Sequence, residues 1–257
     1  MGRVAFITGA ARNTGYAIAR RFLQEGYTVC LSSRDAQSCA EAAQSLREEV
    51  PGAEVLGLAV ELSDVESIRG AFETIREKYG RLDAFVANAA NLAVGISVLN
   101  ATVKDWEEVM NANARGTFFC CQEAARLMEG TGGAMVLISS VHANQAIPGR
   151  VLYSASKSAI NAMARCMAVE LGYLRIRVNA LIAGAIWTER WETQTPQETE
   201  RRRSQYPAGR ESAPEEIAAA VAFLCSDQAA TITGTEMTVD SGISICLLPY
   251  NKEWNRA

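Results

Sequence analysis

Short apolar or β-branched runs alternate along the chain with longer segments in which apolar residues recur at helical spacing. The runs predict strands near Val4–Thr8, Thr28–Ser32, Val55–Leu58, Ala84–Ala87, Met135–Ser139, Arg177–Leu181 and Glu236–Val239. The longer segments predict helices near Gly15–Glu25, Ala36–Glu49, Val65–Tyr79, Tyr153–Leu171 and Pro214–Cys225, with one long helix over Asp105–Met128. Strand and helix alternate throughout, so the connections are right-handed crossovers and the sheet is parallel, covered on both faces: an α/β fold. In such sheets ligands bind beyond the carboxyl ends of the strands. Thr8-Gly9, Asn88, Ser139-Ser140 and Ala183-Gly184 all follow strands at that edge, so their groups should converge.

A chain of 257 residues is long enough for one α/β domain with a sizeable core, and residues 1–257 are read as one. Residues 189–212 stand apart as a charged loop able to cover a site, and 243–257 as a tail, apolar at first and polar later. The net charge of -4, with both signs interspersed, predicts neither nucleic acid nor a membrane surface as partner. No charged leader with an apolar segment behind it and no spanning apolar run is found, which predicts a cytoplasmic protein. Seven scattered cysteines without a Cys-x-x-Cys read as free thiols, and the single histidine, His142, argues against a metal site.

Two stretches carry chemistry. The first strand runs into Thr8-Gly9-Ala10-Ala11-Arg12-Asn13-Thr14-Gly15, a turn of little bulk that opens a helix and lets backbone N–H groups meet a pyrophosphate. The second strand ends in Ser33-Arg34, where an acidic residue would hold a free ribose 2′-hydroxyl. A hydroxyl with two guanidiniums, Arg34 and Arg12, instead suits a 2′-phosphate, so the residues favour NADP over NAD, against which stand Asp35 and the plainer reading of both arginines as solvated surface charges. Further on, Tyr153 and Lys157 lie four apart on one helical face, so an ammonium near the phenol is expected to lower its pKa towards neutrality. Ser140, at the end of the fifth strand, can hold the same substrate oxygen.

Together these motifs resemble the short-chain dehydrogenase/reductase family from about Arg3 to Gly242, in order and spacing. The matching pieces are the Thr-Gly-x-x-x-x-x-Gly loop, Asn88-Ala89, Asn113-Ala-Arg-Gly116, Ser140 thirteen residues before Tyr153, Lys157, and Gly184-Ala-Ile-Trp-Thr188. The resemblance implies a Rossmann-like, doubly wound sheet of seven parallel strands and a homotetramer or homodimer, pairing the helix at Tyr153 and the one ending at Met128 across subunits. It implies that Tyr153 is the general acid/base, that Lys157 lowers its pKa and binds the nicotinamide ribose, that Ser140 orients the substrate, and that Asn113 holds a water linking the lysine to solvent. It implies NADP(H) along Gly9, Arg12, Asn13, Thr14, Gly15, Ser33 and Arg34, with Glu61 and Leu62 flanking the adenine. Asn88, Ala89 and Ala90 would lie beside the ribose, and Gly184, Ile186 and Thr188 beside the nicotinamide and pyrophosphate. The family's usual glycines are replaced at Asn13, Ala90 and Ser241, and its proline at Ala183; asparagine best tolerates the left-handed backbone such a turn needs.

The substrate side predicts less. The charged 189–212 loop, with Trp187 and Trp191 as its large apolar residues, suits a polar or sugar-like carbonyl or alcohol better than a steroid. His142 is a candidate to hydrogen-bond it, and Arg201-Arg202-Arg203 reads as a solvated helix face. Two alternatives remain open: a 3-oxoacyl-thioester reductase acting on acyl carrier protein or coenzyme A substrates, and a non-catalytic redox sensor that binds the dinucleotide.

Overall fold

The structure, a computed structural model, describes residues 2–247 and 250. Seven strands form one sheet in the order β3-β2-β1-β4-β5-β6-β7, every neighbouring pair parallel. They are β1 (Val4–Thr8), β2 (Thr28–Ser33), β3 (Val55–Ala59), β4 (Ala84–Ala87), β5 (Gly133–Ser140), β6 (Ile176–Ala183) and β7 (Glu236–Val239). The order reverses between β1 and β4, the switch point at which such sheets open a crevice.

One face is covered by α1 (Asn13–Gln24), α2 (Ala36–Glu49) and α8 (Pro214–Cys225), whose Ile18, Phe22, Leu46 and Val221 pack on Ile7, Leu31 and Val136. The other is covered by α3 (Val65–Tyr79), α5 (Gly116–Met128) and α6 (Val151–Glu170). There Phe6, Phe72 and Phe85 stack with ring centroids 5.1–5.9 Å apart. Burying aromatic rings of that size on both sides is what keeps a sheet with no exposed face folded.

The predicted long helix is interrupted. It runs as α4 (Val103–Met110), a π-turn over Asn111–Arg115, and then α5. Gly116 explains part of this: a Cβ there would lie 2.5 Å from the carbonyl oxygen of Leu62, so the helix is pressed on the chain after β3. The extra residue of the π-turn aims Asn113 inward, an arrangement common at functional sites.

A second difference lies in the lid. Residues predicted as loop contain α7 (Pro196–Arg203), started by Thr195, whose hydroxyl accepts from Glu198 N while Glu198 accepts from Thr195 N and Oγ1. Thr195-Pro196-Gln197-Glu198 is a capping box with proline in the first turn, legible in the sequence. Nor is Arg201-Arg202-Arg203 a solvated face. Arg202 and Arg203 both pair with Glu211, at 2.7 and 3.0 Å, and its side chain is 2% exposed. Those bonds and its own backbone outweigh the cost of burial and hold its carboxyl near a pKa of about 2.

In the tail, Asp240 accepts from Gly242 N and Ser244 N, and the Gln145 side chain donates to the Ser244 carbonyl. Ile245 and Leu247 are exposed, while Leu248, Pro249 and 251–257 lie outside the described residues.

Candidate active site

The carboxyl edge gathers the expected groups because the register aligns their strands. Thr8 pairs with Ser32, Ala87 with Leu137 and Ser140 with Ala183, so the chain leaves every strand on the same side. Thr8 ties two of these exits together: its hydroxyl accepts from Asn88 N at 3.0 Å and Ala89 N at 3.2 Å, while Asn88 Nδ2 donates to the carbonyls of Thr8 and Gly9. The glycine loop is thereby pressed against the end of β4. A Cβ on Gly9 would lie 2.8 Å from Ala89, and one on Gly15 only 2.3 Å from the Gly9 carbonyl oxygen. Asn13 adopts the left-handed conformation, φ +50°, as its residue type allows, and so does Ser241, φ +59°.

The loop fits a dinucleotide pyrophosphate. Asp35, Asp64, Thr102 and Thr195 cap α2, α3, α4 and α7 with their side chains, whereas α1 has neither a side-chain cap nor an acidic residue in its first turn. Its N–H groups and positive dipole end are therefore free for an anion. Across the crevice Thr188 has a buried Oγ1 with no partner, a further group suited to a polar ligand. Thr14 is half-buried at the start of α1, Ile186 bridges to Ser212, and Gly184 has no room for a Cβ because Asp240 approaches to 2.7 Å.

At the adenosine end, Ser33 Oγ donates to the Asp35 carbonyl, and Arg34 and Arg12 are exposed with no ion-pair partner among the described residues. Asp35 caps α2 instead of lying unengaged beside them. Its carboxylate accepts from Ser38 N at 2.8 Å and Ser38 Oγ at 2.5 Å, and these bonds lower its pKa. Glu61, half-buried, is bonded by Ser63 and sits within the field of Arg34; together they outweigh burial and lower its pKa. The Leu62 side chain lies in the core, which leaves its backbone as what it can offer a nucleotide.

The proton-transfer groups are buried. Ser140, Tyr153, Lys157 and Asn113 are all less than a tenth exposed. Tyr153 packs with Leu152, Val109, Ala93 and Ala90; the Ser140 hydroxyl, which accepts from His142 N, lies near enough to favour its phenolate. Ser139 Oγ donates to the Lys157 carbonyl at 3.3 Å, fastening α6 to the end of β5.

The expected lowering of the tyrosine pKa is corrected. Lys157 Nζ lies 5.7 Å from the Tyr153 ring centroid but donates to the Ile138 carbonyl at 2.6 Å. Burial raises the phenol above its ordinary value; Ser140 and the charge of Arg150 pull it part of the way back. Complete burial drops Lys157 itself to about 8, so at neutral pH its charge is held at a cost.

Asn113 is fully engaged through its side chain. Oδ1 accepts from Asn91 N at 2.7 Å, and Nδ2 donates to the Asn91 carbonyl and to Ser156 Oγ. That clamp joins the loop after β4 to α6, and the sequence offered no sign of Asn91 or Ser156 as its partners. Arg150 was also missed, although its position three residues before Tyr153 puts it one turn away on the same face. Of the substrate candidates, His142 stands edge-on to Tyr153 at 6.0 Å, and Trp187 is half-buried with its backbone N–H on the Ser212 carbonyl. Trp191 is turned into the lid, with the Arg202 guanidinium 3.9 Å over its ring.

Known proteins place this arrangement in context. Residues 9–244 match the family described as enoyl-(acyl carrier protein) reductase. The 3-oxoacyl-(acyl-carrier-protein) reductase FabG of Thermotoga maritima is 34% identical over 248 residues, covering 95% of this chain and 98% of the relative. The D-threitol dehydrogenase of Mycolicibacterium smegmatis is 32% identical over 251 residues, covering 95% and 94%. The crystal structure of levodione reductase superposes with a TM-score of 0.88 at 30% identity, covering 95% of this chain and 98% of that one.

Proposed function

The chain belongs to the short-chain dehydrogenase/reductase family, an oxidoreductase acting on alcohol or carbonyl groups, and from that premise we propose that it is an NADP(H)-dependent enzyme interconverting a secondary alcohol and a ketone. The observation that carries the cofactor choice is the pairing of a free Arg34 and Arg12 with an Asp35 already spent on capping α2. The residues from Gly9 to Gly15 and Thr188 would hold the pyrophosphate, and Ser33, Arg12 and Arg34 the 2′-phosphate. When bound, the nicotinamide supplies or accepts the hydride.

The chain's own residues manage the proton. Ser140 lies close to Tyr153; together they receive the carbonyl oxygen, and Tyr153 delivers the proton as the alcohol forms. A phenol kept protonated by burial is suited to donate in the reducing direction. Lys157, at about 8, can lose or regain a proton near neutrality and so refill the site along α6. Closure by 189–212 would exclude water. Exposed Phe118, Val169 and Tyr173 on or just after α5 and α6 support self-association through those helices, which we read as a homotetramer of single-domain, cytoplasmic chains. A 3-oxoacyl-thioester substrate is the second reading, supported by the FabG relative.

The test is consumption of NADPH and of NADH against keto sugars, acetoacetyl thioesters, oxo-steroids and small diketones. NADPH should be preferred, and Ser33→Asp should shift that preference towards NADH. Equal use of both by the parent protein would remove the 2′-phosphate argument.

A further inference from the structure

Arg150 stands over the ring of Tyr153, its charge unanswered by any acid among the described residues. The only hydrogen-bond partner of its side chain among the described residues is the Leu92 carbonyl, 2.7 Å from Nη1, and its backbone is fixed by a bridge to Ile96. A neutral carbonyl occupies one of five guanidinium N–H groups. Other half-buried arginines are more fully answered: Arg202 and Arg203 by Glu211, Arg20 by Glu49 and Glu215, and Arg177 by the three carbonyls of Leu224, Ser226 and Ile232. Arg150 has no such acid, although its Cζ lies 5.7 Å from the Tyr153 ring centroid.

His142 completes the surroundings. Its ring stands 6.0 Å from the same tyrosine, and its Nδ1 is buried without a partner. Burial first, and then Arg150, hold its pKa below the ordinary value, so at neutral pH it offers a neutral imidazole. A partly desolvated guanidinium and an unpaired imidazole nitrogen flanking the proton donor both ask for a ligand, and the guanidinium asks for an anion. Its planar fork matches the two oxygens of a carboxylate.

We propose that Arg150 determines specificity, selecting a carbonyl substrate that bears a carboxylate a few bonds from the reacting carbon, with His142 as a second polar contact. The proposal rests on the reading of Tyr153 as the proton donor to the carbonyl. It narrows the substrate class to oxo acids and their hydroxy-acid products.

The test compares wild type, Arg150→Gln and Arg150→Lys on 3-oxo acids, on their methyl esters and on phosphorylated ketones, with NADPH. The wild type should favour the acid over its ester, and in Arg150→Gln that ratio should fall about 30-fold, mainly through KM, whatever loss both substrates share through Tyr153. Arg150→Lys should recover part of it. An equal loss on acid and ester, a wild-type preference for the ester, or a preference for the phosphorylated ketone would overturn the assignment. Binding is read separately, by the acid's quenching of NADPH fluorescence in the complex. Acid binding that depends on Arg150 without turnover of any carbonyl would sink the reductase reading but support this one; turnover of neutral ketones without acid binding would do the reverse.

Discussion

The arginines of the lid and those around the crevice look alike in sequence and behave oppositely in the fold. Arg202 and Arg203 are spent on Glu211, a buried carboxylate that binds α7 to the chain entering α8, and Arg202 also covers Trp191. Arg12, Arg34 and Arg150 form no ion pair among the described residues, although 29 acidic residues were available to the chain and Glu61 feels the field of Arg34. On the proposed reading, where a cation serves structure its partner is supplied by the protein, and where it serves a ligand the partner is left to arrive. The same division separates Asp35, used up as a helix cap, from Thr188, whose hydroxyl is buried and unpaired.

The division is broken most severely at Glu211. Glu211→Gln leaves two guanidiniums without their carboxylate, and a loss of about 3–5 kcal/mol is expected, read as a fall in Tm. Because its folded pKa of about 2 lies below the ordinary 4.5, the pairing stabilises fully above that ordinary value and fades as pH falls towards 2. Titration of stability through that window should show the step in the parent protein and not in the variant.

On the ligand side, Arg34→Ala should weaken NADPH binding by about 10- to 100-fold and NADH binding much less, measured by fluorescence titration. Stability should hardly change, since Arg34 is exposed and carries no structural partner. Equal weakening of both cofactors would place Arg34 with the structural arginines.

Lys157 sharpens the contrast because it is a buried cation on a neutral partner. Its pKa is depressed from 10.5 to about 8, so the charge costs roughly 3 kcal/mol at neutral pH, and stability of the free protein should rise as pH climbs from about 8 to 10.5. Lys157→Met removes that cost and orphans the Ile138 carbonyl, for a net gain of about 1–2 kcal/mol together with loss of turnover. The smallest effect is expected at Arg201, exposed on α7, where Ala should change stability by less than about 0.5 kcal/mol.

Much of this was legible in the sequence. All seven strands were foreseen, four of them short at an end by one or two residues, because buried parallel strands read as plain apolar runs. The carboxyl-edge residues followed from strand order alone. What was not legible depends on contacts far apart in the chain. The π-turn answers to Leu62 and Asn91, the pairing of Arg202 and Arg203 to Glu211, and the direction of the Tyr153 shift to how deeply α6 is buried. A Tyr-x-x-x-Lys spacing brings an ammonium near a phenol, yet it does not say that the ammonium will turn to a backbone carbonyl. The capping box at Thr195, by contrast, was local and was overlooked.

The measurement that bears most directly on the account follows the absorbance of NADPH in the presence of a carbonyl substrate for the parent protein and for Tyr153→Phe. The parent should turn over, and the variant should lose about 10²- to 10⁴-fold in kcat while keeping NADPH affinity within about tenfold. A variant that turns over as fast as its parent, or a parent that binds NADPH and reduces no carbonyl, would contradict it.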